Sequence, residues 1–136
     1  MRIALLVAAA GTLVTAGAAT AAPQPPFSFG RAGGNILPFT VTILPDGRVT
    51  SDGATPRNAR VSSGTLASLR QLGAAAGIGR LPALTLCPDT LPDFATFWIR
   101  FPTAAGSHRV AVRGSCVPSF TRLYRALSEA VGLPSG

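Results

Sequence analysis

The chain has no lysine, a single histidine and only two cysteines among its 136 residues. A phosphate-binding P-loop requires a lysine before Ser or Thr, so Gly30, Gly33 and Gly34 do not form one. One histidine and no Cys-x-x-Cys pair are too few ligands for a zinc site. No Gly-x-Ser-x-Gly sequence is present, so a serine-hydrolase nucleophile is also missing. We therefore expect no enzymatic activity, no metal and no cofactor.

Residues 1–21 have the features of a secretory signal peptide. A basic start leads into the apolar run Ile3–Val14, and Ala19-Thr20-Ala21 supplies the small residues that a signal peptidase recognises. We expect cleavage after Ala21, because cleavage after Ala22 would leave a proline next to the broken bond. The apolar run is too short for a membrane span of about 20 residues, so an uncleaved anchor is the less favoured alternative.

The remaining chain is predicted to be a secreted single domain of about 115 residues. No cysteine lies near the cleavage site to carry a lipid, and Leu133–Gly136 is not a hydrophobic tail. We therefore expect no stable membrane insertion after cleavage. Two cysteines in an exported chain predict one disulfide, Cys87–Cys116.

The basic residues are all arginines, and removal of Arg2 leaves eleven of them against five acidic residues, a formal charge of +6. This balance favours anionic partners. Export argues against an intracellular nucleic acid. We therefore expect an anionic polymer of the cell envelope, or an extracellular protein, as the partner and expect no nucleic acid.

Residues 22–38 form a Pro/Gly-rich lead-in, and residues 39–136 form the α+β domain. The prolines of the lead-in favour an extended segment, and Phe27 and Phe29 are expected to dock at an edge of the domain. Gly33-Gly34 argues against regular structure in this lead-in.

The first hairpin is predicted from Phe39–Ile43, in which apolar residues and threonines alternate with period 2. Pro45-Asp46-Gly47 is a strong turn signal, and Arg48–Ser51 returns as the second strand. A helix follows, capped by Ser62 or Ser63, with leucines at helical spacing.

The second hairpin joins Phe94–Phe101 to His108–Arg113, and the two cysteines lie at its outer ends. Folding back brings these ends together, which is consistent with the disulfide. Pro118-Ser119 is predicted to open a last helix, with Ser119 as its cap, and Gly132 and Pro134 are predicted to end it. The resulting fold class is α+β: a four-stranded antiparallel sheet in the order ββαββα, with two helices on one face and one disulfide.

Several strings in the chain carry a resemblance to known sequences: FTVTILPDGRVTSDG, the leucine-spaced helix, CPDTLPD and CVPSFTRLYRALSEAVG. Together they resemble a group of small exported actinobacterial proteins of uncharacterised function. The resemblance implies this fold and an exported protein. It implies no activity and no functional residues.

Two sets of titratable residues are interpreted structurally. Asp89 and Asp93 are too few for a calcium site, and we expect Asp89 in a turn after Pro88 and Asp93 at the start of a strand. His108 has no nucleophile and carboxylate partners in the sequence pattern. We expect it to be an exposed loop residue.

The candidate binding site is the outward face of the second hairpin. Trp98 and Arg100 on one strand are expected to meet Arg109 and Arg113 on the next. An exposed tryptophan among guanidinium groups suits an anionic polymer, an acidic protein surface or a sugar ring. The alternative is a solvated face on which arginine stems cover Trp98. Neighbouring positions extend the face: Thr40, Thr42, Arg48 and Thr50.

We therefore predict a secreted, non-enzymatic binding domain. The alternative prediction is an inhibitor of an extracellular hydrolase, either a protease or a muramidase. Such an inhibitor would present Cys87–Asp93 as a constrained loop, because Pro88 and Pro92 limit its freedom.

Overall fold

A computed structural model describes residues 16–18 and 23–134 of the chain. Apart from 16–18, the predicted signal peptide and its cleavage site lie outside these residues. The described elements, in chain order, are β1 Phe27–Ala32, β2 Phe39–Ile43, β3 Val49–Asp52, α1 Ser63–Ala75, a short 3₁₀ helix Ile78–Arg80, β4 Leu84–Leu86, β5 Thr96–Thr103, β6 Gly106–Arg113 and α2 Pro118–Val131.

The strands form one six-stranded sheet in the order β3-β2-β1-β5-β6-β4. All neighbours are antiparallel except β4 and β6, which are parallel. The α+β class, the two helices and both predicted hairpins are confirmed. The predicted count of four strands is wrong, because β1 and β4 also join the sheet.

β1 lies at the centre of the sheet, so the expectation that Phe27 and Phe29 dock at an edge is wrong. It pairs with β2 on one side and with β5 on the other. Successive residues of a strand point to opposite faces, so Phe27 and Phe29, which are two residues apart, point to the same face. Both side chains are fully buried in the core. The strand is flanked by Pro25-Pro26 and by Gly33-Gly34. These residues are typical of irregular structure, so the sequence does not indicate a strand there.

The hairpin of β2 and β3 turns through Pro45-Asp46-Gly47 as predicted. The Leu44 carbonyl accepts from the Gly47 N–H at 2.8 Å. The Asp46 carboxylate accepts from the backbone N–H of Arg48 at 3.0 Å and from its Nε at 2.7 Å. These hydrogen bonds, the backbone one first, lower the pKa of the exposed Asp46 carboxyl.

The helix ends follow local chemistry. Ser62 caps α1, accepting from the Thr65 N–H at 3.1 Å. The prediction that Ser119 caps α2 is wrong: Val117 precedes the helix without a side-chain cap, and Pro118 begins it. Proline suits this position because its φ is already helical and its missing N–H would have no partner there. Gly132, with φ of 69°, ends α2.

Both helices pack on one face of the sheet and enclose the core. α1 buries Leu66 and Leu69, and α2 buries a stripe that includes Leu123 and Leu127. They cover the inward side chains of the four central strands: Phe27, Phe29, Val41, Ile43, Ile99, Phe101, Val110 and Val112.

The predicted Cys87–Cys116 disulfide is confirmed, with the two Cα atoms 5.6 Å apart. It joins the segment after β4 to the segment before α2, beside the end of β6. Thr90 Oγ1 also donates to the Cys87 carbonyl at 2.7 Å, so the start of the following loop is fixed. Among the described helices, none has the length and hydropathy needed to cross a bilayer.

Candidate functional site

The sheet face opposite the helices, here called the outer face, carries the four predicted binding residues. In the β5–β6 register Arg100 is paired with Arg109, and Trp98 is paired with Ala111. Paired residues point to the same side of a sheet, so these side chains and Arg113 lie together. The register also places other residues on the outer face: Ser28, Thr40, Thr42, Thr50, Leu84, Leu86 and Thr96.

Trp98 is half-buried rather than exposed. Its ring lies against β1, where a Cβ built on Gly30 would be 3.0 Å from Trp98 Cζ2. The guanidinium carbon of Arg109 lies 5.0 Å from the centroid of the same ring. The expectation of an exposed tryptophan is therefore wrong, and the alternative of a ring covered by arginine describes it better.

Arg100 and Arg109 are directly opposite each other on neighbouring strands, and both side chains are exposed. In the described part of the chain, neither guanidinium is within ion-pair distance of a carboxylate. Like charges placed directly opposite destabilise a sheet. Arg113 differs from them, because it is half-buried and its Nε donates to Thr96 Oγ1 at 3.2 Å.

Leu84 and Leu86 add an apolar border that the sequence prediction missed. β4 pairs Leu84 with Ala111 and Leu86 with Arg113, so both leucines join the outer face. They are 54% and 61% exposed. A three-residue strand has too little periodicity to be recognised, although its Leu-Thr-Leu alternation is the relevant signal.

The threonines predicted to extend the outer face do so. Thr42 pairs with Ser28 and with Thr50, and its Oγ1 is 3.1 Å from Ser28 Oγ. Arg48 does not contribute a free charge, because it forms an ion pair with Asp46 at 2.7 Å.

His108 is not the exposed loop residue that was expected. It lies in β6, is half-buried, and its Nε2 is hydrogen-bonded to the Leu81 carbonyl at 2.8 Å. The predicted strand began at His108, and the ladder continues two residues further to Gly106, so His108 is paired within the strand. Its imidazole therefore ties the segment before β4 to the sheet.

The loop between the disulfide and β5 contains both remaining acidic candidates. Asp89 lies in a turn, as predicted, with φ of 60°. Asp93 accepts from Asn35 Nδ2 at 3.4 Å and remains exposed. Among the described residues, no three His, Cys, Asp or Glu side chains are grouped so that they could hold a metal ion.

A cavity of about 640 Å³ lies between the sheet and α2, and the sequence prediction missed it. We call it the aromatic cavity because four rings line it. Arg31 and Arg125 also line it, and none of its lining residues is acidic. The rings belong to Phe39, Phe97, Phe120 and Tyr124.

Tyr124 is at the centre of the aromatic cluster. Its ring centroid lies 5.5 Å from that of Phe29 and 5.2 Å from that of Phe97, both edge-to-face. Its hydroxyl oxygen is buried and has no hydrogen-bond partner among the described residues. Burial raises the pKa of Tyr124, and the charge of Arg31 lowers this pKa by a smaller amount.

Arg31 is held in place at this cavity. Its guanidinium carbon lies 5.1 Å from the Phe39 ring centroid, and its Nε donates to the Leu37 carbonyl at 3.0 Å. The alternation Phe27, Phe29, Arg31 was the sequence signal that could have placed this charge on the helix side of the sheet.

Comparison with known protein families, with curated proteins and with solved structures gives no match for this chain. The resemblance to small exported actinobacterial proteins therefore stays a prediction. Function has to be inferred from the two surfaces described above.

Proposed function

We propose that the protein is an exported, non-enzymatic binding module whose outer face takes an anionic polymer of the cell envelope. The observation that carries this proposal is the pair Arg100 and Arg109, opposed across two strands with no described carboxylate within ion-pair distance of either. A polyanion would relieve the repulsion and gain two charge-assisted contacts.

The surroundings of the arginine pair support the same partner. Trp98 underlies Arg109, which keeps that guanidinium in a defined position. The threonines supply hydroxyl groups for a polar chain, whereas Leu84 and Leu86 supply an apolar border. A face with ordered cations and neighbouring hydroxyls fits a repeating anionic polymer better than a single small ion.

Retention of the purified, disulfide-bonded protein on immobilised poly(glycerol phosphate) tests this proposal. Replacing Arg100 and Arg109 by Gln should weaken retention by about tenfold, because both charge-assisted contacts are lost. The matched control replaces Arg57 and Arg122 by Gln, since these exposed arginines lie away from the outer face and the change in net charge is identical.

Equal loss in both double variants would mean that only net charge matters, and the proposal would then be wrong. Absence of retention by the unaltered protein would also reject it. Binding to an acidic protein in place of the polymer would reject the polymer as the partner. Trp98→Ala should weaken retention further, provided that the variant keeps the circular dichroism of the parent.

A second candidate, inhibition of an extracellular hydrolase, rests on the loop that follows Cys87. Leu91 is 58% exposed and Phe94 is 48% exposed. The disulfide and the Thr90 hydrogen bond fix the start of this loop. A constrained loop with exposed apolar side chains loses little freedom when it enters a protease cleft.

Residual-activity assays with stoichiometric protein against secreted proteases and muramidases test this candidate. Inhibition that Leu91→Asp abolishes and Arg100→Gln leaves intact would support it. No inhibition of any enzyme in the panel would remove it.

A further inference from the structure

We propose that the aromatic cavity is a binding site for a small aromatic carboxylate. This site is on the helix side of the sheet, so it is separate from the outer face and does not depend on the function proposed for that face. Three features of the cavity define the ligand: its size, its walls and its charge.

The size of the cavity and its aromatic walls indicate that the ligand contains an apolar ring. About 640 Å³ is within the range of about 300–1,000 Å³ that small-molecule sites occupy. Phe97 of β5 and Phe120 of α2 both line the cavity, so a ligand ring would meet aromatic side chains from the sheet and from the helix.

The charge specifies an anion. Among the described residues that line the cavity, the two with a full charge are arginines, and no side-chain carboxylate is present to compensate them. Arg31 is fixed by Phe39 and by the Leu37 carbonyl, so its guanidinium loses little freedom when a ligand binds. A carboxylate is the planar anion that a guanidinium fork binds best.

The Tyr124 hydroxyl supplies a further donor. A buried hydroxyl without a partner is costly, and few remain in native proteins. Arg31 and Tyr124 both line the cavity. A carboxylate between them would accept from both. The hydroxyl oxygen is buried, so its contact with a ligand requires the neighbouring side chains to move aside.

Titration of the disulfide-bonded protein with 2-naphthoate, followed by calorimetry and by amide chemical shifts, tests the inference. We expect saturable binding with shifts in α2 around Tyr124. The neutral isostere 2-naphthylmethanol should bind at least about tenfold more weakly, because it cannot engage the arginines. Equal binding of acid and alcohol, or no saturation, would overturn the inference.

Variants then locate the site. Arg31→Gln should weaken 2-naphthoate binding about tenfold, whereas Arg122→Gln, on the exposed side of α2, should leave it unchanged. If Arg31→Gln does not fold because its tie to Leu37 is lost, Arg125→Gln gives the same test from an exposed position. Binding that survives both changes and is lost in Trp98→Ala would assign the ligand to the outer face and reject the cavity.

Tyr124→Phe separates a ligand contact from a structural role. Removal of an unpaired buried hydroxyl should leave the melting temperature unchanged or raise it, while 2-naphthoate binding weakens severalfold. Unchanged affinity in this variant would show that the hydroxyl takes no part in binding and would overturn that part of the inference.

Discussion

Gly73 of α1 lies directly against the ring of Phe101 in β5. A Cβ built on Gly73 would overlap this ring, with Phe101 Cζ only 2.6 Å away. Glycine weakens the interior of a helix, but at this position it lets α1 come close to the sheet.

Gly73→Ala should therefore destabilise the protein although alanine favours helices. Overpacking costs about 1–3 kcal/mol, and the gain in helix propensity is about 1 kcal/mol. We expect a net loss of up to about 2 kcal/mol in the free energy of unfolding, measured by urea denaturation. Gly64→Ala is the control in the same helix, because nothing lies within 4 Å of its added Cβ. Equal stability of the two variants would contradict the close packing of Gly73 against Phe101.

Phe29→Ala should be among the most damaging changes in the chain. The ring is fully buried at the centre of the sheet, and truncation of a buried phenylalanine costs about 3–5 kcal/mol. Phe94→Ala, at a position outside the core, should cost less than about 1 kcal/mol. Thermal unfolding of both variants provides the measurement. An equal fall in their melting temperatures would contradict the central position of β1.

Replacement of Cys87 and Cys116 by serine should lower the free energy of unfolding by about 3–4 kcal/mol, because the cross-link closes a loop across a sequence separation of 29. Denaturant unfolding with and without dithiothreitol provides the measurement. The unaltered protein should lose stability when reduced, and the double variant should not respond. A response of the variant to the reductant would disprove this interpretation.

Tyr124 should make the fold sensitive to alkaline pH. Its pKa is raised by burial, so the unfolded chain loses this proton first, near the ordinary value of about 10. Below about pH 10 the hydroxyl is protonated in both the folded and the unfolded chain, so this group does not change the free energy of unfolding with pH. Above this pH, unfolding should become easier by at most about 1.4 kcal/mol per pH unit. The chain has one tyrosine, so Tyr124→Phe should flatten this dependence between pH 9 and 11. An unchanged slope in the variant would assign the effect to another group.

The sequence was sufficient for the elements that carry strong local signals. Ser62, the turn at Pro45-Asp46-Gly47 and the alternation in the second hairpin specify their structures within a few residues. The disulfide followed from the position of the cysteines at the outer ends of that hairpin. These signals depend on neighbours in the chain, and tertiary packing agrees with them.

The features that the sequence did not predict depend on residues that are distant in the chain. β1 pairs with β5, about seventy residues further along, and its Pro/Gly-rich flanks give no local indication of a strand. β4 is recognisable only through its pairing with β6. The arginines of the outer face were found because one hairpin carries them. The aromatic cavity was not found because Arg31, Phe97 and Tyr124 come from three separate elements.

The position of β1 also limits when the sheet can finish folding during synthesis. Ribosomes release the amino terminus first, yet one edge of β1 stays without its partner until β5 has been made. During that interval Phe27 and Phe29 cannot be buried in a complete core. β1 and β5, which are far apart in the chain, must pair before the sheet is complete. Such non-local pairing slows folding. A nascent chain arrested before residue 96 would therefore remain open, with an apolar strand that chaperones can bind.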